Sequence, residues 1–183
     1  MQFTATFLAA AGLIPLSLAG STPNPGQSGP SGVPQPELYE AIHQRENILA
    51  YTLDTKDYAR LGESMTKDVI YDSRPLGADY GGLSVGLAQT TANIRAAFGD
   101  AQIAHHVSNA IIVPHKDGKA ANVTTYIVYS RWDSAALNDP KKSFRIYERC
   151  DDYFVVDSAD GNWKLQYSLV SNLGPKPERP YFG

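Results

Sequence analysis

The chain of 183 residues has one cysteine, Cys150. No intrachain disulfide can form, so stability must come from a packed core. A lone cysteine of this kind is ordinarily a small buried apolar residue. Runs of Lys or Arg are also absent: 16 basic against 19 acidic residues leave a formal net charge of −3. That composition excludes the basic footprint of a nucleic-acid or anionic-membrane binder. No apolar stretch reaches the roughly 20 residues of a membrane-spanning helix. There is no internal repeat, no Gly-rich phosphate loop, no nucleophile elbow and no Cys/His motif. The expected partner is therefore small or neutral, with no nucleic acid, no membrane, no metal and no organic cofactor.

What is present points to a single domain. A hydrophobic content of 43% over this length supports one sizeable core. Residues 1–19 are apolar and close on Ser17-Leu18-Ala19, a small-x-small pattern, and read as a signal peptide. Residues 20–36 are rich in Pro, Gly and Ser and read as a flexible linker. The folded domain is expected over 37–173, with a tail over 174–183. Entry into the secretory path would make the sequon Asn122-Val123-Thr124 a glycosylation site at Asn122.

Leu38, Ile42, Ile48, Leu49 and Leu53 recur at helical spacing and predict a first helix ending near Asp54. A short second helix is expected over Lys56–Met65, a short strand over Val69–Ser73, and a third helix over Leu87–Phe98 stopped by Gly99. The remainder is β. Ile103–Val113 and Ala121–Trp132 flank Asp117-Gly118, a strong hairpin signal. A second hairpin joins Phe144–Val156 to Trp163–Val170 across Asp157–Asn162. Helices first and a meander afterwards is an α+β pattern, with the helices covering one face of a curved antiparallel sheet.

The turn sets a register. With Asp117-Gly118 as a two-residue loop, His106 pairs with Tyr129 and Ala104 with Arg131, and directly paired residues share a face. Ser108, Ile112, Val123, Thr125 and Ile127 join them, whereas His105 and the sequon residue Asn122 fall on the other face. A glycan needs solvent, so the face carrying His106 is expected to be the inner one, unless a bulge shifts the pairing. On the next strand Phe144, Ile146, Glu148, Cys150, Asp152 and Phe154 are expected to look inward. His106, Tyr129, Arg131 and Glu148 among apolar residues suit a cavity lining better than a plain core, because burying ionisable groups is costly. The competing reading is an Arg131–Glu148 ion pair at the sheet margin.

Leu53-Asp54-Thr55-Lys56-Asp57-Tyr58-Ala59-Arg60-Leu61, continuing without a gap into Ile70-Tyr71-Asp72-Ser73-Arg74, resembles the nuclear-transport-factor-2-like superfamily, specifically its SnoaL-like and scytalone-dehydratase-like enzymes. The resemblance covers about residues 37 to 173. It implies a cone-shaped sheet with about three N-terminal helices enclosing one pocket. It also implies that Asp54 orients a histidine that transfers protons. The hairpin register favours His106 for that histidine, whereas the pattern His105-x-Val107-Ser108-Asn109 found in many SnoaL-like sequences favours His105. The dehydratase's second histidine falls at Ser130 or Arg131, and its serine and asparagine at Cys150 and Asp152, so its substrate does not carry over.

A neutral histidine oriented by a carboxylate can take a proton and return it, and an enolate formed beside a carbonyl needs a donor. Tyr129 and Arg131 are the candidate donors, and Tyr71, Glu148, Cys150 and Asp152 further substrate-binding residues. The expectation is a cofactor-independent dehydratase, cyclase or isomerase acting on a polyketide- or terpenoid-like molecule. A non-catalytic secreted small-molecule binder is the alternative, and a homodimer is expected from the superfamily's habit.

Overall fold

The computed structural model describes residues 35–175. The expected signal peptide, nearly all of the linker and the tail beyond residue 175 lie outside the described residues. Three α-helices precede or interrupt the sheet: α1 (Gln35–Asp54), α2 (Leu61–Ser64) and α3 (Leu87–Phe98). The strands are β1 (Met65–Asp72), β2 (Leu83–Val85), β3 (Gln102–Pro114), β4 (Ala120–Trp132), β5 (Ser143–Val156) and β6 (Trp163–Asn172). They form one open six-stranded sheet in the order β2-β1-β6-β5-β4-β3. The architecture is α+β, with the helices against one face of the curved sheet.

Leu38, Ile42 and Leu53 of α1 bury one stripe against Ile112, Ala121, Val123, Phe154 and Leu165 of the sheet, as the helical spacing predicts. A second cluster, including Leu76, Ile103, Tyr129, Ile146 and Val170, forms at the other end of the sheet. Gly99 ends α3 with φ 49, a left-handed value that glycine adopts without a Cβ clash.

Several expectations are corrected. The linker was expected to run to Pro36, but α1 begins at Gln35. The second helix shrinks to a 3-10 turn at Tyr58–Arg60 and the single turn α2, because β1 already begins at Met65. Strand β2 was not foreseen. The sheet is mixed rather than antiparallel: β1 lies parallel to β6, since the long excursion through β2 to β5 returns the chain in the same direction.

The most consequential correction is in β3. The pairing expected from the turn holds from Pro114↔Ala121 back to Ile111↔Thr124. Between Ile111 and Ser108, two residues of β3 oppose one of β4, and from there on Ser108 pairs with Tyr126, His106 with Val128 and His105 with Tyr129. This is a β-bulge, and it contains Asn109 at φ 53. Asparagine is the side chain other than glycine that most readily tolerates that conformation. One extra residue turns every side chain beyond it to the opposite face. Ile103, His105 and Val107 therefore face inward, and His106 is exposed on the outer face. On β4, Asn122 is exposed and Tyr129 buried, and on β5 Ile146, Glu148, Cys150 and Phe154 are buried, as expected.

Candidate active site

Asp54 closes α1, and a carboxylate at a helix C-terminus is disfavoured by the helix dipole. Two donors from β3 offset this. The backbone N–H of His105 donates to Asp54 Oδ2 at 3.0 Å, and His105 Nδ1 lies 2.6 Å from Oδ1. A carboxylate only accepts, so Nδ1 carries a proton, and in the neutral ring Nε2 keeps its lone pair. Phe98 and Tyr129 pack on the imidazole and Phe144 packs on Tyr129: the Tyr129 ring is 5.1 Å from that of His105, stacks on Phe98 at 5.8 Å and meets Phe144 at 6.2 Å. Such packing fixes the imidazole plane.

The ring borders a cavity of about 750 Å³, which suits one small organic molecule. His105 stands at its wall with Tyr71, Tyr129, Arg131 and Glu148, and Asp54 holds His105 from behind. Leu76, Ile146 and the aromatic trio supply apolar surface. A narrower chamber of about 50 Å³ adjoins it between α1 and the sheet, sharing Leu53, Tyr71, His105 and Glu148 and reaching Glu46, Cys150 and Asp152. The structure thus brings the sequence-predicted residues together with one exception. His106 is the exception: the bulge at Asn109 carries its ring to the other face of β3.

Burial dominates the electrostatics. The Glu148 carboxyl is pushed up to about 8 by desolvation alone. Asp152 rises to about 7 from burial, opposed by a hydrogen bond from Ser168. Glu46 is raised by burial while the Thr125 hydroxyl donates to it at 2.5 Å. Tyr129 is raised to about 12 by burial, with the adjacent Arg131 guanidinium acting against the shift. Burial also pushes the Tyr71 phenol and the Cys150 thiol well above their ordinary values, which makes Cys150 a poor nucleophile. Arg131 Nη1 donates to the Ala97 carbonyl at 2.7 Å. The competing reading, an Arg131–Glu148 ion pair, is not what forms: the Glu148 carboxyl has no hydrogen-bond or ionic partner among the described residues. Among the described residues no group of three or more His, Cys, Asp or Glu could hold a metal ion.

Phe98 and Glu46 escaped the sequence reading as site residues. Glu46 was detectable, because it stands four residues after Ile42 on the apolar stripe of α1, where a carboxylate is out of place. Phe98 left no signal beyond closing α3.

A SnoaL-like domain model matches residues 35–168. The chain belongs to the SnoaL-like family. Solved structures agree on the fold. ActVI-ORFA from Streptomyces coelicolor superposes with a TM-score of 0.61 at 19% identity, over 75% of this chain and 98% of that one. A candidate scytalone dehydratase from Novosphingobium aromaticivorans gives 0.62 at 18% identity, over 77% and 88%. A candidate aromatic ring hydroxylase from the same organism gives 0.66 at 18% identity, over 78% and 94%. No curated protein matches. At these identities the likeness establishes the cone fold with its pocket, and the different reactions named for the neighbours mean that this chain's own side chains must decide its chemistry.

Proposed function

We propose that this SnoaL-like chain is a cofactor-independent dehydratase, cyclase or isomerase that moves a proton on a small polyketide- or terpenoid-like molecule. The double hydrogen bond between Asp54 and His105 at the cavity wall carries the reading. It fixes the tautomer so that Nε2 is the base, and it supports the imidazolium that forms once a proton has been taken. The aromatic trio would hold a flat ring beside that nitrogen. The Tyr129 hydroxyl and the Arg131 guanidinium are donors for an enolate oxygen. A protein in which Asp54 and His105 merely latch α1 to β3 would be a binder, with the same cavity and no proton transfer.

Deuterium exchange of 2-tetralone at the carbon beside its carbonyl separates the two. The wild type and His106→Ala should exchange it faster than buffer, and His105→Ala should fall to the buffer rate while remaining folded. An unchanged rate in His105→Ala, or no exchange by the wild type, would overturn the enzyme reading. Secretion is part of the proposal, supported by the apolar segment ending at Ala19 and by the exposure of Asn122. Mass spectrometry of material from a eukaryotic secretory host should find a new N-terminus near Gly20 or Ser21 and a glycan on Asn122, and an intact Met1 would refute it. A homodimer through the outer sheet face is supported by the exposed Ile111, Val113, Tyr126 and Tyr147 and is tested by the sedimented mass.

A further inference from the structure

We propose that Glu148 is the acid of this site: a carboxylic group that donates a hydrogen bond to the substrate oxygen and, in an elimination, hands its proton to the oxygen that leaves. The inference rests on the His105 reading for the accompanying base but on separate observations for the acid. Glu148 sits in the middle of β5 beside Ile127 of β4. Its residue is 7% exposed, and its carboxyl meets no hydrogen-bond or ionic partner among the described residues, yet it lines both the main cavity and the inner chamber. A buried carboxylate left in that condition costs several kcal/mol, so the group is held on its protonated side, where it is a donor.

Position makes the donor useful. His105 pairs with Tyr129, Tyr129 pairs with Ile146, and Glu148 follows two residues on along β5. Two strand spacings across and two residues along separate the two Cα atoms by about 12 Å in the plane of the sheet. A curved sheet turns both side chains toward one space, and that distance admits one small molecule between them. Tyr129 is much the weaker acid at about 12, against about 8 for Glu148. Arg131 can stabilise charge without giving up a proton.

The substrate class that uses both groups is a small carbonyl compound with a hydroxyl at the β-carbon. His105 Nε2 takes the proton from the carbon between them, the carbon–oxygen bond at the β-carbon breaks, and the departing hydroxyl leaves as water with the proton of Glu148. An imidazolium and a carboxylate remain, and a proton passing from the first to the second through solvent restores both. The titratable and charged groups that line these cavities with Glu148 are Glu46 of α1, Tyr71 of β1, Asp79 and Tyr80 between β1 and β2, His105 of β3, Tyr129 and Arg131 of β4, and Cys150 and Asp152 of β5. The Tyr71 and Tyr129 phenols and the Cys150 thiol stay neutral over the range in which Glu148 ionises.

The test needs no natural substrate. In protein carrying carbon-13 at the glutamate carboxyls, the resonance lost in Glu148→Gln should titrate near 8, apart from the other glutamates. The probe ligand is 2-cyclohexenone, whose carbonyl accepts a hydrogen bond. Its wild-type affinity should fall about tenfold per pH unit above that point, because only the protonated acid donates. In Glu148→Gln the amide N–H still donates, so the affinity should not vary with pH, and in Glu148→Leu it should be weak throughout. The fall should persist in Asp152→Asn and in His105→Ala, which separates Glu148 from both neighbours. A Glu148 resonance in the ordinary carboxylate range, a wild-type affinity that does not vary with pH, or no binding of cyclohexenone would each overturn the proposal. A loss of exchange activity confined to His105→Ala leaves it standing, and a silent His105→Ala removes the base while leaving the acid, so the two readings fail separately.

Discussion

Replacing Asp54 by asparagine tests the centre of the site. Two donors of His105, its backbone N–H and its Nδ1–H, converge on the two oxygens of Asp54. Asparagine offers one acceptor and one NH₂ donor, so it can satisfy both partners only if the imidazole changes tautomer, with Nδ1 accepting and Nε2 protonated. The lone pair that faces the cavity is then gone. In other carboxylate-oriented histidines this exchange costs about 10⁴ in rate, or about 5 kcal/mol of transition-state stabilisation. The stability cost is far smaller. A charge-assisted hydrogen bond contributes about 1.5–3 kcal/mol, solvent reaches a quarter of the Asp54 side chain, and asparagine suits a helix C-terminus better than a carboxylate does. A net loss of about 1 kcal/mol, lowering Tm by a few degrees, is expected. Nitrogen-15 shifts of the His105 ring report the tautomer directly, and 2-tetralone exchange reports the rate. Ring shifts unchanged in Asp54→Asn would refute the reasoning, as would additive losses in Asp54→Asn/His105→Ala, because two groups acting as one unit must be non-additive.

Asn109→Gly should leave stability nearly unchanged, whereas Asn109→Val should cost at least about 1–2 kcal/mol in denaturant unfolding, because a β-branched residue resists φ 53; equal stability of the two would mean that the bulge does not depend on that residue. Gly81→Ala drives a Cβ into the Ser73 carbonyl and must displace the loop at the cavity wall, while Gly82→Ala meets nothing within 4 Å among the described residues. The first should weaken cyclohexenone binding and the second should not, as read by calorimetry. Glu148, at about 8, binds a proton in the folded protein that the unfolded chain has already lost above about pH 4. Its contribution to stability is therefore full in acid and is lost at about 1.4 kcal/mol per pH unit as pH rises toward 8. Glu148→Gln should make the fall of stability with pH less steep over that interval, leaving the part due to the raised Asp152 and Glu46, and an unaltered slope would contradict the assignment.

The elements were legible where local pattern and tertiary demand agree. The stripe Leu38, Ile42, Leu49, Leu53 marked α1, Gly99 marked the end of α3, and the turns at Asp117-Gly118 and Asp157–Asn162 marked the hairpins to within a residue or two. Residues 56–65 read as a helix because nothing local forbids one, but β1 must start at Met65 to pair with β6, and long-range pairing of that kind leaves little trace in a window of ten residues. The parallel β1–β6 pair was hidden for the same reason.

The choice between two adjacent histidines shows how little separates a readable site from a misread one. Spacing counted back from the turn is reliable while each residue of β3 opposes one of β4, and it turned His106 inward. One residue, Asn109, in a left-handed conformation breaks that condition and moves the inner face to His105. The segment held the clue in its chemistry: asparagine tolerates the bulge conformation, and the SnoaL-like resemblance of His105-x-Val107-Ser108-Asn109 already pointed to His105. The face of a strand beyond such a residue therefore cannot be settled by alternation alone. On β5, where the inner-face run Ile146, Glu148, Cys150 is unbroken, alternation placed Glu148 correctly without any family pattern. Alternation could not show that Glu148 lacks a partner among the described residues, because that depends on Arg131 reaching across to the Ala97 carbonyl, a contact spanning 34 residues. The acid of the proposed pair is thus a product of the tertiary fold, and the base is a product of one strained residue in a strand.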